Sequence, residues 1–307
     1  MKVIITGGTG LIGRMLIKEL TGRGDEAVVL TRNPKKRDVS GNAQLVKWDA
    51  ETADGWVEWV NKSDAIVNLT GENIAGAGLI PDRWTESKKD KILHSRLKAG
   101  RAVNEAIKSA EDKPRVLVQA SAIGYYGTGE EDLTEDSPPG EGFLAETAQK
   151  WEAVTEPVEN LGVRRVVIRT GIVLSSEGGV LPRLQLPYRF FLGGPLGGGR
   201  QWHSWIHVAD EVKAIRFLIE TEEARGPFNL TAPNPKRNEE FGKELGQVMG
   251  RPSYLRVPGF FFRLMLGDAA ELVLEGQRVR PEKLEDMGFE FDYPVLDEAL
   301  DSLIGRG

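Results

Sequence analysis

The chain contains the stretch Thr6-Gly7-Gly8-Thr9-Gly10-Leu11-Ile12-Gly13, which directly continues the apolar run of residues 2–6. In a strand–loop–helix unit of this kind, the first glycine permits a tight turn and the second lets the backbone approach a pyrophosphate. The third lets the helix pack closely on the strand. The stretch therefore predicts a dinucleotide site at the N-terminus of the helix that follows. The residues expected to line the phosphates are Gly7, Thr9, Gly10, Leu11, Ile12 and Gly13.

The end of the second apolar run reads Leu30-Thr31-Arg32-Asn33-Pro34-Lys35-Lys36-Arg37, with no acid before Asp38. NAD-binding proteins tend to have Asp or Glu at this point, where it accepts hydrogen bonds from the ribose hydroxyls. An arginine can instead stack on the adenine and pair with a 2′-phosphate, and Lys36 adds positive charge. We therefore expect NADP(H) as the cofactor, with a solvated basic loop as the alternative.

Short apolar runs alternate with longer amphipathic segments through the first two-thirds of the chain. Nearly all-apolar strands are typical of a parallel sheet covered on both faces, and the alternation implies right-handed βαβ crossovers. The prediction is an α/β fold with a doubly wound parallel sheet of the Rossmann type. Strands are predicted at residues 2–6, 27–31, 44–48, 65–69, 115–120 and 164–169. Helices are predicted between them, notably at residues 11–23, 85–109 and 144–161.

The alternation stops after Thr170, which marks the predicted division of the chain. Residues 1–170 are expected to form the NADP-binding Rossmann domain, and residues 171–307 a smaller α/β substrate-side region built onto the sheet. Within the second region we expect a small helical C-terminal domain from about residue 250. The other predicted elements are a helix from about residue 208, a strand near 228–230 and helices near 238–249 and 260–274.

Composition excludes several classes of function. The chain of 307 residues has no cysteine, so it forms no disulfide, thiolate metal site or cysteine nucleophile. Its three histidines show no ligand spacing, so no metal is expected. The net charge of −6, without a long basic run, argues against a nucleic-acid partner.

No apolar stretch is long enough to predict a membrane span. The nearest candidate, residues 259–274, is interrupted by Arg263, Asp268 and Glu271, which favours a buried or subunit-contacting helix. The strand-like first residues do not fit a signal peptide. We expect a cytoplasmic protein that acts on a small molecule, without a membrane partner, and we leave a homo-oligomer open.

A set of unusual motifs extends over almost the whole chain, at residues 67–74 (VNLTGENI), 94–96 (HSR), 169–174 (RTGIVL), 193–199, 205–207 (WIH), 274–281 (LEGQRVRP) and 288–289 (GF). With the glycine loop, they resemble the extended short-chain dehydrogenase/reductase superfamily, the group of nucleotide-sugar epimerases and dehydratases. The resemblance narrows to an atypical subfamily called epimerase-family proteins. Its members carry a small C-terminal domain of unknown function, and their substrates are generally unassigned.

The resemblance implies further cofactor contacts. Thr31 and Arg32 are expected at the adenosine end, and Val173 at the nicotinamide side. Arg96 is expected to reach in from the long helix, although it could also be a surface residue of a charged helix. The residues implied at the ribose and pyrophosphate, at the end of the fourth strand, are Leu69, Thr70 and Gly71.

Typical members of the superfamily use a Tyr, a Lys four residues later and a nearby Ser or Thr, with the Lys lowering the pKa of the Tyr. Here Lys150 has the Lys position, but Glu146 stands where the Tyr is expected. The usual hydroxyl position falls on Ala122, and Ser121 is one residue early. The candidate catalytic residues are therefore Lys150, Ser121 and Tyr126.

Each of these assignments has an alternative. Ser121 could be a structural hydroxyl at a strand end, and Tyr126, like its neighbour Tyr125, could be structural. Glu146 could act as a base only if burial raises its pKa. A hydrogen-bonded structural role is favoured for His207.

Two functions follow from these features. The first is an NADP(H)-dependent epimerase or oxidoreductase that acts on a carbonyl or hydroxyl substrate, which the resemblance suggests is sugar-like. The substrate is expected beside the nicotinamide, under residues 193–205. The second is a catalytically inactive nucleotide-binding sensor or scaffold, because plastid relatives are linked to division-site control.

Overall fold

A computed structural model describes residues 1–35, 43–76, 78 and 80–305 of the chain. It has short and long strands: Lys2–Thr6 (β1), Glu26–Thr31 (β2), Gln44–Lys47 (β3), Ala65–Asn68 (β4), Val116–Ala122 (β5), Asp132–Leu133 (β6), Arg164–Thr170 (β7), Ile172–Leu174 (β8), Trp202–His203 (β9), Trp205–His207 (β10), Gly226–Leu230 (β11), Lys236–Arg237 (β12) and Arg278–Val279 (β13).

The α-helices are Leu11–Gly22 (α1), Val57–Val60 (α2), Glu86–Ser109 (α3), Phe143–Ala153 (α4), Leu181–Arg189 (α5), Val208–Glu220 (α6), Asn238–Val248 (α7), Gly259–Leu266 (α8), Glu271–Leu274 (α9), Glu282–Asp286 (α10) and Leu296–Ile304 (α11). Three 3₁₀ segments lie at Ile123–Tyr126, Glu156–Leu161 and Gly267–Ala270. No helix in the described part of the chain is long and apolar enough to cross a membrane.

Seven strands form one parallel sheet in the order β11-β7-β5-β4-β1-β2-β3. The order reverses between β1 and β4, so the sheet has a topological switch point there, at which ligands of such folds bind beyond the carboxyl ends of the strands. Pairing places Thr6 opposite both Leu30 of β2 and Asn68 of β4. The doubly wound fold predicted from the sequence is confirmed.

The sheet is covered by helices on both faces because its strands are apolar on both faces. In β1, Val3 and Ile5 belong to the core shared with α1 and α6, whereas Ile4 belongs to the core shared with α2 and α3. The amphipathic helix α1 buries Leu16, Ile17 and Leu20 against the first of these cores. Alternate residues of one strand thus pack against the helices on opposite faces of the sheet.

Two predicted helices are interrupted in the structure. The segment predicted at 144–161 is α4 followed by a 3₁₀ turn, in which Pro157 lies at the first positions and cannot donate to a continuing helix. The segment predicted at 260–274 is divided at Gly267, which has φ +57°. The predicted strand near 228–230 is β11, which pairs with β7 and forms one edge of the main sheet.

Candidate nucleotide-binding site

The glycine loop is held against the tip of β4. Gly7 has φ +68°, and a Cβ there would lie 2.8 Å from the carbonyl carbon of Leu69. A Cβ on Gly13 would lie 2.6 Å from the backbone oxygen of Gly7. A Cβ on Gly10 would meet only the Gly7 oxygen, at 3.2 Å. Packing within the protein therefore requires Gly7 and Gly13, whereas Gly10 is the position left for the close approach of a ligand.

Helix α1 begins without a competing negative charge. Gly10 is its N-cap, no side chain of the described residues caps it, and its first turn contains no acidic residue. Free N–H groups and the positive end of the helix dipole favour an anion at such an end. Thr9 and Gly10 are exposed, and Leu11 and Ile12 are half-buried. These residues fit a pyrophosphate.

A hydrogen-bonded chain aligns the tips of three strands. The Thr6 hydroxyl donates to Asn68 Oδ1 at 2.6 Å, and Asn68 Nδ2 donates to Gln119 Oε1 at 2.8 Å. The three side chains are buried and join β1, β4 and β5. These hydrogen bonds were not predicted from the sequence, in which their signal is a polar residue in each of three otherwise apolar strands.

The residues after β4 provide an unpaired polar group. The Thr70 Oγ1 atom is buried and has no hydrogen-bond partner among the described residues. An unmade hydrogen bond at a buried hydroxyl is unfavourable, so this atom fits a ligand that supplies the partner. Leu69 is held by its N–H, which donates to the Thr6 oxygen at 3.2 Å.

Arg96 is fixed beside these residues. Its Nη1 donates to the backbone oxygens of Ile92 and Glu72, at 2.8 and 3.1 Å. Its guanidinium lies over the Trp151 ring at 4.6 Å from the centroid, and a Cβ on Gly71 would be 3.0 Å from its Cζ. Burial lowers the pKa of Arg96 to about 10, which leaves it charged at neutral pH. Arg96 is therefore a half-buried cation next to Gly71.

The end of β2 carries an exposed cation. Arg32 is exposed, and Thr31 Oγ1 accepts a hydrogen bond from the N–H of Asn33. The Glu72 carboxylate accepts a hydrogen bond from Lys88 Nζ at 2.9 Å, and this bond lowers the pKa of Glu72. The positive charge of Arg32 lowers it further by a smaller amount. Lys36, the second residue expected at a 2′-phosphate, lies outside the described residues.

Val173 reaches the same region from the other half of the chain. It lies in β8 opposite Ile206 of β10. A Cβ on Gly179, after the turn that follows β8, would lie 3.1 Å from Leu11 Cδ2. The segment that contains Val173 therefore packs near the start of α1.

Lys150 and Glu146 both lie on the exposed side of α4. Lys150 Nζ is 3.8 Å from Glu146 Oε2, and the two side chains are 55% and 65% exposed. The burial on which a role for Glu146 as a base would depend is absent, because its side chain is mostly exposed.

Ser121 and Tyr126 belong to a buried network around Arg169. The Ser121 hydroxyl donates to Glu152 Oε1 at 2.6 Å, and Arg169 donates twice to the Glu152 carboxylate, at 2.9 Å each. Arg169 Nη1 also donates to the Tyr126 hydroxyl at 2.9 Å, which in turn donates to Asn229 Oδ1 at 2.7 Å. Burial raises the pKa of Tyr126 to about 12.

The sequence patterns did not indicate the structural roles of Arg169, Glu152 and Asn229. A recognisable signal was the arginine at the end of the apolar strand β7, because a charged residue is almost never buried unless it is paired. The Arg169 guanidinium also lies 3.5 Å from the centroid of the Tyr125 ring, so both tyrosines pack around it.

His207 has a structural role. Its Nδ1 accepts from the N–H of Ala209 at 3.0 Å and so caps α6, and its ring stacks on Tyr293. Burial lowers its pKa to about 4, so the imidazole is neutral. In the described part of the chain, no group of three or more His, Asp or Glu side chains could hold a metal ion.

The fold and the site define a Rossmann-type dinucleotide-binding protein with its site at the switch point of the sheet. The profile of the NAD dependent epimerase/dehydratase family matches residues 3–231, and that of a domain of unknown function (DUF1731) matches residues 257–303. The chain therefore belongs to the NAD dependent epimerase/dehydratase family. The resemblance to epimerase-family proteins with a small C-terminal domain is confirmed.

Relatives match over the full length of the chain. Epimerase family protein YfhF of Bacillus subtilis (strain 168) is 42% identical, over 99% of this chain and 98% of its own. A crystal structure of human epimerase family protein SDR39U1 (isoform 2) with NADPH aligns with a TM-score of 0.86 and 32% identity, covering 99% of each chain. A nucleoside-diphosphate sugar epimerase of Corynebacterium glutamicum aligns with a TM-score of 0.77 and 31% identity, over 99% of this chain and 58% of that one.

Proposed function

We propose that the protein binds NADP(H) and acts as an epimerase or oxidoreductase on a carbonyl or hydroxyl substrate of sugar-like chemistry. The observation that carries the proposal is the convergence of three features at the switch point. These are the start of α1 at Gly10 and the Thr70 hydroxyl, which have no side-chain partner among the described residues, and the exposed Arg32 where NAD-binding proteins tend to have an acid.

Each feature has a proposed partner on the cofactor. The start of α1 binds the pyrophosphate, Thr70 donates to or accepts from the ribose and pyrophosphate region, and Arg32 with Lys36 pairs with the 2′-phosphate. Val173 borders the nicotinamide. The human relative with NADPH supports the choice of NADP(H) over NAD.

The bound nicotinamide would supply or accept the hydride, and the chain must move the proton. We propose that Lys150, whose charged group is exposed, holds the nicotinamide ribose. Ser121 is proposed to accept a hydrogen bond from a substrate hydroxyl, because its own proton is directed to Glu152. The Tyr126 hydroxyl accepts a hydrogen bond from Arg169 and donates one to Asn229. These two bonds favour a role in positioning Arg169 over a role as a proton donor.

The substrate class is supported by the nucleoside-diphosphate sugar epimerase among the relatives. Without the usual Tyr, however, the developing oxyanion lacks a donor of a kind that typically contributes about 10²–10⁴-fold in rate. We therefore expect stoichiometric binding of NADPH and very slow turnover of common UDP-sugars and simple carbonyls.

The test combines titration with NADPH and two assays, one for epimerisation of UDP-glucose and one for oxidation of NADPH by carbonyl compounds. Lys150→Ala should weaken NADPH binding, whereas Lys108→Ala, on an exposed position of α3, should leave it unchanged. Failure of the wild type to bind NADPH would reject the proposal. Binding without any turnover would favour the sensor or scaffold, and rapid turnover would show that another group replaces the Tyr.

A further inference from the structure

Large apolar side chains are exposed on two segments that are far apart in the sequence. Residues 190–192, after α5, form the first group, with Phe190 67% exposed. Tyr254, Leu255 and one face of α8 form the second, in which Phe260 is 61% and Leu264 73% exposed. Contiguous apolar surface of this kind usually marks an interaction site.

The two segments lie side by side. The Gly193 oxygen accepts hydrogen bonds from the N–H groups of Tyr254 and Leu255, at 2.9 and 3.0 Å. Leu196 and Val257 form a parallel bridge, and α8 begins two residues later. We call the combined region the Phe–Arg surface. Its apolar members are residues 190–192 and 254–255 with Phe260, Phe261, Leu264 and Met265.

The outward face of α8 is held in place by its inward face. Leu266 is buried, and with the partly buried Phe262 it packs in a cluster that includes Trp84 and Ile92. The rings of Phe260 and Phe261 lie 4.1 Å apart on the outer side. The exposed apolar residues are therefore presented by an anchored helix.

The two chain segments that form the Phe–Arg surface are themselves basic, in contrast to the whole chain. Residues 180–200 and 245–267 contain six arginines and no Asp or Glu, although the chain has 46 acidic and 40 basic residues. Arg251 lies over the Phe191 ring at 4.5 Å, and Arg189 is exposed next to Phe190. Two of the other arginines pair with acids elsewhere, Arg256 with Glu239 and Arg263 with Glu275.

We propose that the Phe–Arg surface docks on the surface of an anionic lipid bilayer. Neighbouring phenylalanine and leucine side chains that protrude can enter the boundary between headgroups and acyl chains, while arginines pair with lipid phosphates. A peptide partner would instead require a groove for its side chains. A second copy packed on the same surface would bring arginines against arginines, which is unfavourable.

This proposal differs from the expectation of no membrane partner, which rested on the lack of a spanning segment. Docking on a bilayer surface requires no span, and the surface forms only when residues 190–192 and 254–265 meet in the fold. The proposal does not depend on NADP(H) binding or on catalysis.

The test is co-sedimentation of the full chain with vesicles. We expect binding to vesicles of equal parts phosphatidylcholine and phosphatidylglycerol, none to phosphatidylcholine alone, and release by high salt. Two variants should each weaken vesicle binding at least about tenfold. One is the double variant Phe260→Ser/Leu264→Ser, and the other is the triple variant Arg189→Glu/Arg251→Glu/Arg263→Glu. The control is the triple variant Arg101→Glu/Lys108→Glu/Arg225→Glu, which makes the same change in net charge at exposed positions elsewhere. It should bind the vesicles more tightly than the triple variant of the Phe–Arg surface.

Circular dichroism confirms that each variant is folded before its binding is compared. The proposal is overturned if the folded wild type does not bind the anionic vesicles, or if both variants bind as the wild type does. It is also overturned if gel filtration shows a wild-type dimer that Phe260→Ser/Leu264→Ser converts to a monomer without vesicle binding, because the surface is then an interface between copies.

Discussion

Single residues at the carboxyl edge of the sheet have clearly separable tasks. Gly7 and Gly13 are required by contacts within the protein, and the Thr70 hydroxyl has no hydrogen-bond partner in the part of the chain that the structure describes. Arg32 is exposed at the end of β2, where its charge is free to meet a ligand. Substitutions at such positions change binding and folding to different extents, so each can be tested by itself.

Arg32→Ala should remove the preference for NADPH over NADH. A charge-assisted hydrogen bond contributes about 1.5–3 kcal/mol, so NADPH affinity should fall about tenfold to a hundredfold more than NADH affinity, which loses only the stacking on the adenine. Titration calorimetry with both cofactors measures this. Arg225→Ala is the control, because Arg225 directly precedes β11 at the opposite edge of the sheet. Equal loss for both cofactors would argue against a 2′-phosphate contact.

Glu211 should make stability depend on pH. It is fully buried in α6, it accepts from the Thr170 hydroxyl at 2.8 Å, and burial raises its pKa to about 8. In the unfolded state the Glu211 carboxyl loses its proton near its ordinary pKa. Its contribution to the stability of the fold is therefore present below about pH 4.5 and is lost as the pH rises to about 8. As the pH rises between these values, the free energy of unfolding of Glu211→Gln should therefore come to exceed that of the wild type by a few kcal/mol.

Urea unfolding of both proteins across this pH range gives the difference directly. Glu222→Gln, at an exposed position after α6, is the control and should follow the wild type. Parallel curves for the wild type and Glu211→Gln would show that the Glu211 carboxyl has the same pKa in both states.

At the level of elements, the loop between β1 and α1 combines a structural and a binding task. Gly10 has φ −76° and ψ 175°, an extended conformation that any residue adopts. Gly10→Val should therefore fold, with a small loss of stability from the 3.2 Å contact with the Gly7 oxygen. It should lose NADPH binding because the side chain occupies the path of the pyrophosphate.

Thermal unfolding followed by cofactor titration distinguishes these effects. Gly22→Val, in the last turn of the same helix with nothing within 4 Å of its Cβ, should bind NADPH normally. Gly13→Val should unfold the chain, because its Cβ would lie 2.6 Å from the Gly7 oxygen. Normal NADPH affinity in folded Gly10→Val would remove the loop from the cofactor site.

At the level of the whole molecule, the network around Arg169 joins the two halves of the chain. Asn229 in β11 accepts from Tyr126, its N–H donates to Glu135 at 2.9 Å, and its Nδ2 donates to the Arg280 oxygen at 2.9 Å. The first part of the chain, the last strand of the sheet and the C-terminal region thus share one buried set of hydrogen bonds.

Tyr126→Phe should destabilise this junction by about 1–3 kcal/mol, because Asn229 Oδ1 and one Arg169 N–H lose a partner in a buried site. NADPH affinity should stay the same. Denaturant unfolding and titration measure the two effects, and Tyr254→Phe, 64% exposed, is the control. If stability were unchanged and turnover fell at least a hundredfold, Tyr126 would be a proton donor, as its position in the sequence allows.

The sequence by itself determined the parallel sheet and the helix after the glycine loop, and it predicted the cofactor site at that loop. The reason is that these depend on local patterns, namely apolar strands, a helical period and glycines at fixed spacing. The helix predicted at residues 85–109 also begins where expected, because Thr85 is the N-cap of α3 and its hydroxyl accepts from the N–H of Lys88. Pro157 and Gly267, which divide two predicted helices, were visible in the sequence but were outweighed by the apolar pattern.

Only the tertiary structure decided which polar groups are satisfied and which remain open. The Ser121–Glu152–Arg169–Tyr126–Asn229 connections span residues 121–229, and no local pattern specifies pairs so far apart in sequence. The same is true of the Phe–Arg surface, whose two halves are brought together by the pairing of residues 193–197 with 254–257. Hydrogen bonding and burial are properties of neighbours in space, so they become readable only when the chain is folded.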